Sequence, residues 1–223
     1  DGAALRVRMV SDGARLSIDF TGSAAEHARN LNAPLAVTQS AVMYVLRVLI
    51  GRVTDAAEIP LNDGLMRLVD LAVPRGMLNP VFGEDAAACP AVAGGNVETS
   101  QQVVNLLLMT LGLSAASQGT MNNFLFGDAK RGYYETIGGG AGAGDGFIGA
   151  SGVHTHMTNT AITDCEVLEH RYPARLERFA IRRGSGGAGR WRGGDGLVRR
   201  VRFLAPMSVS LVTGQRASGP RGV

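Results

Sequence analysis

Apolar and polar residues alternate through Leu5-Arg6-Val7-Arg8-Met9-Val10 and again through Leu16-Ser17-Ile18-Asp19-Phe20, with Ser11-Asp12-Gly13 between them. Successive strand residues project to opposite faces, so this stretch predicts a β-hairpin closed by a turn. A polar loop through Asn30 and Asn32 follows, and the apolar run over residues 34–51 predicts a buried helix stopped by Gly51. Residues 66–74 are short, apolar and closed by Pro-Arg-Gly, which predicts a strand. Over residues 96–112, Val97, Val103, Val104, Leu107, Leu108 and Leu111 recur at helical spacing, with Thr99 and Gln102 placed as a capping box and Gly112 as the stop. Beyond Met121 the pattern becomes strand-like at 122–126, 133–137, 153–158, 176–182, 197–204 and 209–213, separated by Gly and Pro turns. The prediction is an α+β chain with two main helices and a mostly β C-terminal half. No internal repeat or linker divides it, so residues 1–223 read as one domain.

At 223 residues, 45% hydrophobic and 18% charged, the chain is long enough to bury a real core. Its two cysteines, Cys89 and Cys165, have neither CxxC nor Cys/His spacing, which fits a reducing compartment and predicts a cytoplasmic protein. The longest apolar runs, 41–50 and 103–113, contain Arg47 and Asn105 and fall short of a membrane span. There is no signal-peptide pattern. The first residue is not Met and the last follow a turn-like Gly219-Pro220, so the sequence is expected to be a fragment cut at both ends. Lys130 is the only lysine among 22 basic residues. A Walker A loop needs a Gly-Lys pair to reach phosphates, and none exists, so this stretch does not hold ATP in that manner.

Two segments match GxGxxG, at 144–149 and 184–189. A dinucleotide site needs a helix after the glycines, whereas strand-like sequence follows both, so tight turns and close packing explain them better. A narrower role remains for the glycine tract 138–144, whose backbone N–H groups are candidates to meet an anion or a developing oxyanion. His154 and His156, two apart in a predicted strand, would project from one face and suit proton transfer or a metal; two half-exposed histidines without a shared task is an equal reading. Asn159, Thr160 and Asp164 add donors and acceptors nearby. Glu135, just before the glycine tract, is a candidate base or orienting group, although a solvated strand carboxylate is commoner. Asn122 and Asn123 offer amides to a polar substrate, or simply serve a turn. From Arg171 onward twelve arginines face only Glu177 and Asp195. With 5% aromatic residues and no nucleic-acid module, the alternation of Val198, Arg200 and Arg202 predicts a wet or interfacial strand face and no nucleic-acid partner.

Several blocks, in order, carry a family resemblance: Asp19-Phe20-Thr21-Gly22, Asn32-Ala33-Pro34, Ile59-Pro60-Leu61-Asn62, Gly94-Gly95-Asn96-Val97-Glu98-Thr99-Ser100-Gln101 and Ser117-Gln118-Gly119-Thr120-Met121-Asn122-Asn123. Gly132-Tyr133-Tyr134-Glu135-Thr136, the glycine tract, His154-Thr155-His156-Met157-Thr158-Asn159-Thr160, Arg182-Arg183-Gly184-Ser185-Gly186-Gly187 and Arg192-Gly193-Gly194-Asp195-Gly196 continue the series. Together they resemble the hydantoinase B/oxoprolinase family, and its 5-oxoprolinases more than its acetone carboxylases. The resemblance implies an ATP-dependent cyclic amide hydrolase that phosphorylates the lactam oxygen of 5-oxo-L-proline and then opens the ring with water to give L-glutamate. It implies a hydantoinase A-like partner, fused or separate, that carries the ATP site on an actin-like fold, and an oligomeric assembly. ATP and a divalent metal are expected mainly outside these residues, so the segment alone is expected to be inactive. Within it, the resemblance favours His154, His156 and Glu135 as catalytic groups and Asn122, Asn123, Gly139, Gly140, Asn159 and Thr160 as substrate contacts. Two positions depart from the oxoprolinase pattern: Ala161 replaces an Arg and Cys165 a Pro. Loss of a guanidinium clamp on a substrate carboxylate leaves two alternatives, an N-methylhydantoinase-type hydrolase or a non-catalytic assembly segment.

Overall fold

The computed structural model describes residues 2–55, 59, 60, 62–214 and 219. Leu61 of the 59–62 block, Pro220, and Arg216 and Arg221 of the arginine set lie outside the described residues. The chain forms two compact units, Asp1–Leu111 and Gly112–Val223. Gly112, which opens the second unit, has a φ of +64°, a conformation glycine adopts more readily than other residues.

In the first unit, β1 (Arg8–Ser11) and β2 (Leu16–Asp19) form the expected antiparallel hairpin, with Arg8 opposite Asp19. Asp12 closes its turn by accepting hydrogen bonds from the N–H groups of Ala14 and Arg15. The strand expected at 66–74 is shorter. Asp63–Leu68 winds as a 3₁₀ turn capped by Asn62, and only Val69–Ala72 (β3) pairs, in parallel with β2. Helix α1 (Leu35–Ile50) begins after Pro34 and buries Thr38, Ala41, Val42, Val45 and Leu46, the i, i+3, i+4 set of one face. Helix α2 (Ser100–Thr110) buries Val103, Val104, Leu107 and Leu108.

The expected capping box at Thr99 and Gln102 does not form. A π turn over Gly95–Thr99 continues the helix backwards, so Thr99 already has helical dihedrals and its hydroxyl donates to the Leu31 carbonyl at 2.6 Å. The cause is tertiary. A Cβ on Gly95 would lie 2.2 Å from the Asn32 carbonyl oxygen, so this turn is pressed onto the preceding loop. That loop is held by Asn32, fully buried, whose amide donates to the carbonyls of His27, Arg29 and Ala91 while its oxygen accepts from the His27 N–H. Both its donor and its acceptor ends are engaged, as burial of an amide demands.

In the second unit, β4 (Asn123–Gly127) is flanked by β5 (Gly132–Thr136) and β10 (Ser208–Val212), all antiparallel. A two-residue β6 (Gly139–Gly140) pairs with β7 (Ser151–Val153), and β8 (Ala174–Ile181) pairs with β9 (Leu197–Phe203). Phe126, Tyr133, Leu168 and Ala174 form a buried cluster with Phe124, Tyr172, Val201, Phe203 and Met207 packed on it. Ring contacts in it run from 4.6 Å (Phe126–Tyr133) to 5.6 Å (Phe124–Phe126). The expected strand 153–158 ends at Val153, and a helix the alternation did not predict, α3 (Cys165–Arg171), follows. Its signal was present: Asp164 caps it by accepting from the N–H groups of Glu166 and Val167, Glu166 sits in the first turn and His170 and Arg171 in the last. Cys89 and Cys165 are both free thiols. Mixed helices and small sheets make this an α+β chain, as the pattern predicted.

Candidate functional site

Most of the sequence-selected polar residues converge within the second unit. Pairing of Gly139 with Val153 sets the start of the 154–160 segment beside the glycine tract. Thr155 then donates to the Ser117 hydroxyl at 3.4 Å. Gln118 connects the other parts. Its oxygen accepts from the Asn122 amide at 3.3 Å, and it lies so close over Gly139 that a Cβ there would sit 1.6 Å from that oxygen. Asn122 also donates to the Ile137 carbonyl at 3.3 Å, and the hydroxyls of Thr136 and Thr160 touch. Asn123 is engaged differently: it is buried and donates to the Tyr134 hydroxyl at 2.6 Å. Asn159 is exposed.

The histidines do not share a strand face. Val153 is the last residue of β7, and His156 adopts a left-handed backbone with φ of +54°. Among the described residues, His156 and Asn122 (φ +49°) are the non-glycine residues with positive φ, and both fall in this neighbourhood. Such a conformation costs free energy and persists where surrounding structure imposes it, commonly at functional sites. His154 carries a buried Nδ1 atom with no hydrogen-bond partner among the described residues, and its burial lowers its pKa. Burial pushes the His156 imidazole down to about 4, so it is neutral at physiological pH.

That shift has a measurable consequence. Between pH 6.5, the ordinary value for histidine, and about 4, the unfolded chain binds a proton at His156 that the folded chain does not. The contribution is therefore complete above pH 6.5 and lost as pH falls through this window, by on the order of 2 kcal/mol. Denaturant titrations at pH 7 and 4.5 check it. The loss should be smaller in His156→Asn, asparagine being tolerant of left-handed backbone; an equal loss in both proteins would contradict the shift.

Glu135, selected as a base or orienting group beside the glycines, points elsewhere. Alternation along β5 directs Tyr133 and Glu135 to the face of Phe124 and Phe126, and Tyr134 and Thr136 to the other. Glu135 is 4% exposed, with one carboxylate oxygen 2.7 Å from Arg199 Nε and the other accepting from the Tyr133 hydroxyl at 2.5 Å. The Arg199 contact is an ion pair off the hydrogen-bond axis, and both side chains are almost wholly buried. Arg199 also donates to the Thr163 carbonyl at 3.4 Å and lies over the Phe179 ring, 5.2 Å from its centroid. Burial, with the Glu135 hydrogen bond second, pushes the Tyr133 phenol up to about 12. Arg199 was missed in the sequence because only the alternating set Val198, Arg200 and Arg202 was followed. The complementary set, Arg199, Val201 and Phe203, places an arginine on an apolar face, which is the signal for a buried carboxylate partner.

The glycine tract is packed, not open. A Cβ on Gly140 would lie 1.9 Å from the Gly194 carbonyl oxygen, and one on Gly194 the same distance from that of Ala150. The Ala141 N–H donates to Ala150 and the Gly144 N–H to Phe147, so these donors are used within the fold. Asp195 completes the interlock by accepting from the N–H groups of Gly184 and Gly186 and pairing with Arg192 at 2.5 Å. Neither GxGxxG segment precedes a helix: β7 follows the first and β9 the second. Among the described residues no group of three or more His, Cys, Asp or Glu side chains is placed to hold a metal ion, and no helix is long and apolar enough to cross a membrane.

The sequence model described as Hydantoinase B/oxoprolinase matches residues 1–223. The chain is 47% identical over 226 residues to 5-oxoprolinase 1 of Arabidopsis thaliana, covering 100% of this chain and 17% of that protein. Its fold matches nucleotide-free acetone carboxylase, with TM-score 0.74 at 18% identity, covering 93% of this chain and 28% of that one. It also matches the ATP-dependent caprolactamase of Pseudomonas jessenii, with TM-score 0.71 at 21% identity, covering 95% and 38%.

Proposed function

The chain belongs to the hydantoinase B/oxoprolinase family, and from that premise we propose that it is a segment of an ATP-dependent hydrolase that opens 5-oxo-L-proline to L-glutamate. The observation that carries the reading is the identity of 47% to a 5-oxoprolinase across the whole chain. The chain spans about 17% of that relative's length, so the complete activity belongs to a larger protein and this segment alone is inactive. An unstrained five-membered lactam is a poor electrophile. Phosphoryl transfer from ATP to its oxygen makes the carbon attackable by water, after which the C–N bond breaks, phosphate leaves and the ring nitrogen takes up a proton. Among the described residues no group of three or more His, Cys, Asp or Glu side chains fits a metal ion, and the sequence has no Gly-Lys loop to hold ATP in the Walker A manner. The nucleotide and a divalent metal are assigned to a hydantoinase A-like half and to the rest of the protein.

In this reading His154, whose Nδ1 is buried and unpartnered, exchanges a proton with the attacking water or the departing nitrogen. Neutral His156 and the amide of Asn122 orient the lactam, with Asn159 and Thr160 at its edge. Gly139 and Gly140, packed against Gln118 and Gly194, act as positioning residues for that edge. Asn123 and Glu135 act through others, as positioning residues. In the complete protein His154→Ala should lower kcat by about 10²-fold with KM little changed, measured as glutamate formed. An unchanged kcat would remove His154 from the chemistry. Ala161, exposed where oxoprolinases carry an arginine, keeps a hydantoin ring as the alternative substrate.

A further inference from the structure

We propose that the outward face of the β8–β9 ribbon is a docking surface for an acidic protein surface elsewhere in the assembled enzyme. Directly opposed residues of an antiparallel pair share a face. One face of this ribbon carries the opposed pairs Ala174–Phe203, Leu176–Val201 and Phe179–Arg199, and it meets the aromatic core. The other carries Arg175 opposite Arg202, Arg178 opposite Arg200, and Ala180 opposite Val198. All four arginines are exposed, and two like-charged pairs set directly across a ladder destabilise it. One carboxylate relieves them: Glu177, at the bulge, meets Arg202 at 2.6 Å. The chain as a whole carries only +3, so this concentration is local rather than a reflection of overall basicity.

The layout specifies the occupant. The cations are spread along the ribbon, from Arg175 and Arg202 past Arg178 and Arg200 to Arg182 and Arg183 in the turn beyond Ile181, instead of converging on one small anion. Near one end Ala180 and Val198 floor a shallow pocket edged by Arg178, Arg182 and Arg183. An apolar floor with guanidinium walls suits the aliphatic stem and carboxylate of Asp or Glu side chains, which arginine pairs with in bidentate fashion. Among the described residues no aromatic ring stands on this face to stack a base; Phe179, itself half-exposed, lies by register on the opposite face, with Arg199 over its ring. The relative of 47% identity is several times longer than this chain, so ample surface exists elsewhere in the assembly to supply the carboxylates.

The complete protein carrying Arg178→Lys or Arg200→Lys keeps the charge and gains an amine. A carbodiimide then couples that amine only to a carboxylate in direct contact, and peptide mapping identifies it. Arg199 must be left intact, because it serves the interior. The expected result is coupling to Asp or Glu residues outside 1–223, with yield reduced about tenfold or more near 1 M salt, where screening acts within ~3 Å. Coupling to Glu177 alone, or none, would overturn the proposal. So would sub-micromolar, salt-sensitive binding of a single-stranded RNA oligonucleotide that is lost when Arg175, Arg178, Arg200 and Arg202 become alanine.

Discussion

Arg199→Ala should destabilise the second unit by about 3–5 kcal/mol, because it strands the Glu135 carboxylate in a dry interior without its cation. Among the described residues, the other side chain bonded to Glu135 is Tyr133, whose hydroxyl is buried and hard to ionise. Removing both partners should cost far less. In Arg199→Met/Glu135→Leu the pair is exchanged for apolar side chains of similar volume, which in other buried pairs is near neutral. Denaturant unfolding of the two variants measures the difference. If Arg199→Ala and the double variant lose the same amount, the guanidinium contributes packing alone and the ion pair is not what holds β5 to β9.

Gly194→Ala should cost about 3 kcal/mol or more, the upper range for overpacking. The added Cβ would lie 1.9 Å from the Ala150 carbonyl oxygen and 3.1 Å from the Ala141 N atom, both of them backbone. Backbone cannot rotate away as a side-chain tip can. The Gly194 N–H also donates to the Ala141 carbonyl, so any shift breaks a hydrogen bond of the interlock. Gly196→Ala is the matched control. Its Cβ would meet only the Ser185 hydroxyl, at an ordinary 3.7 Å, and it should fall within ~0.5 kcal/mol of wild type. Thermal unfolding of both variants settles whether these glycines are there for proximity or for chain flexibility.

The hairpin, α1 and α2 were legible because their determinants are local: period-2 or period-3.6 apolar spacing ended by a turn or a glycine. Failures arose where distant backbone intervenes. Thr99 loses its capping role because Gly95 is pressed onto Asn32, a contact no window of sequence reveals. The strand expected over 153–158 stops at Val153, and left-handed His156, with φ of +54°, lies out of extended geometry. Helix α3 was hidden by the search for alternation, although Asp164 and Glu166 marked its start. For the site, family resemblance drew attention to residues that the fold gathers within the second unit, and local geometry then redistributed the parts. Glu135 turned inward to a cation contributed by β9, and the glycines that suggested an anion cradle meet carbonyl oxygens instead. Which arginines are buried depended on which alternate set of β9 faced the core, and the two sets differ by a single residue of register.

The most direct test of the proposed chemistry is a coupled measurement on the complete protein supplied with ATP, a divalent metal and one cyclic amide at a time. With 5-oxo-L-proline, phosphate and L-glutamate should appear in equal amounts. ATP hydrolysis should fall to background when the lactam is omitted. Stimulation by a hydantoin or by caprolactam, with none by 5-oxo-L-proline, would contradict the assignment and give the departure at Ala161 its meaning.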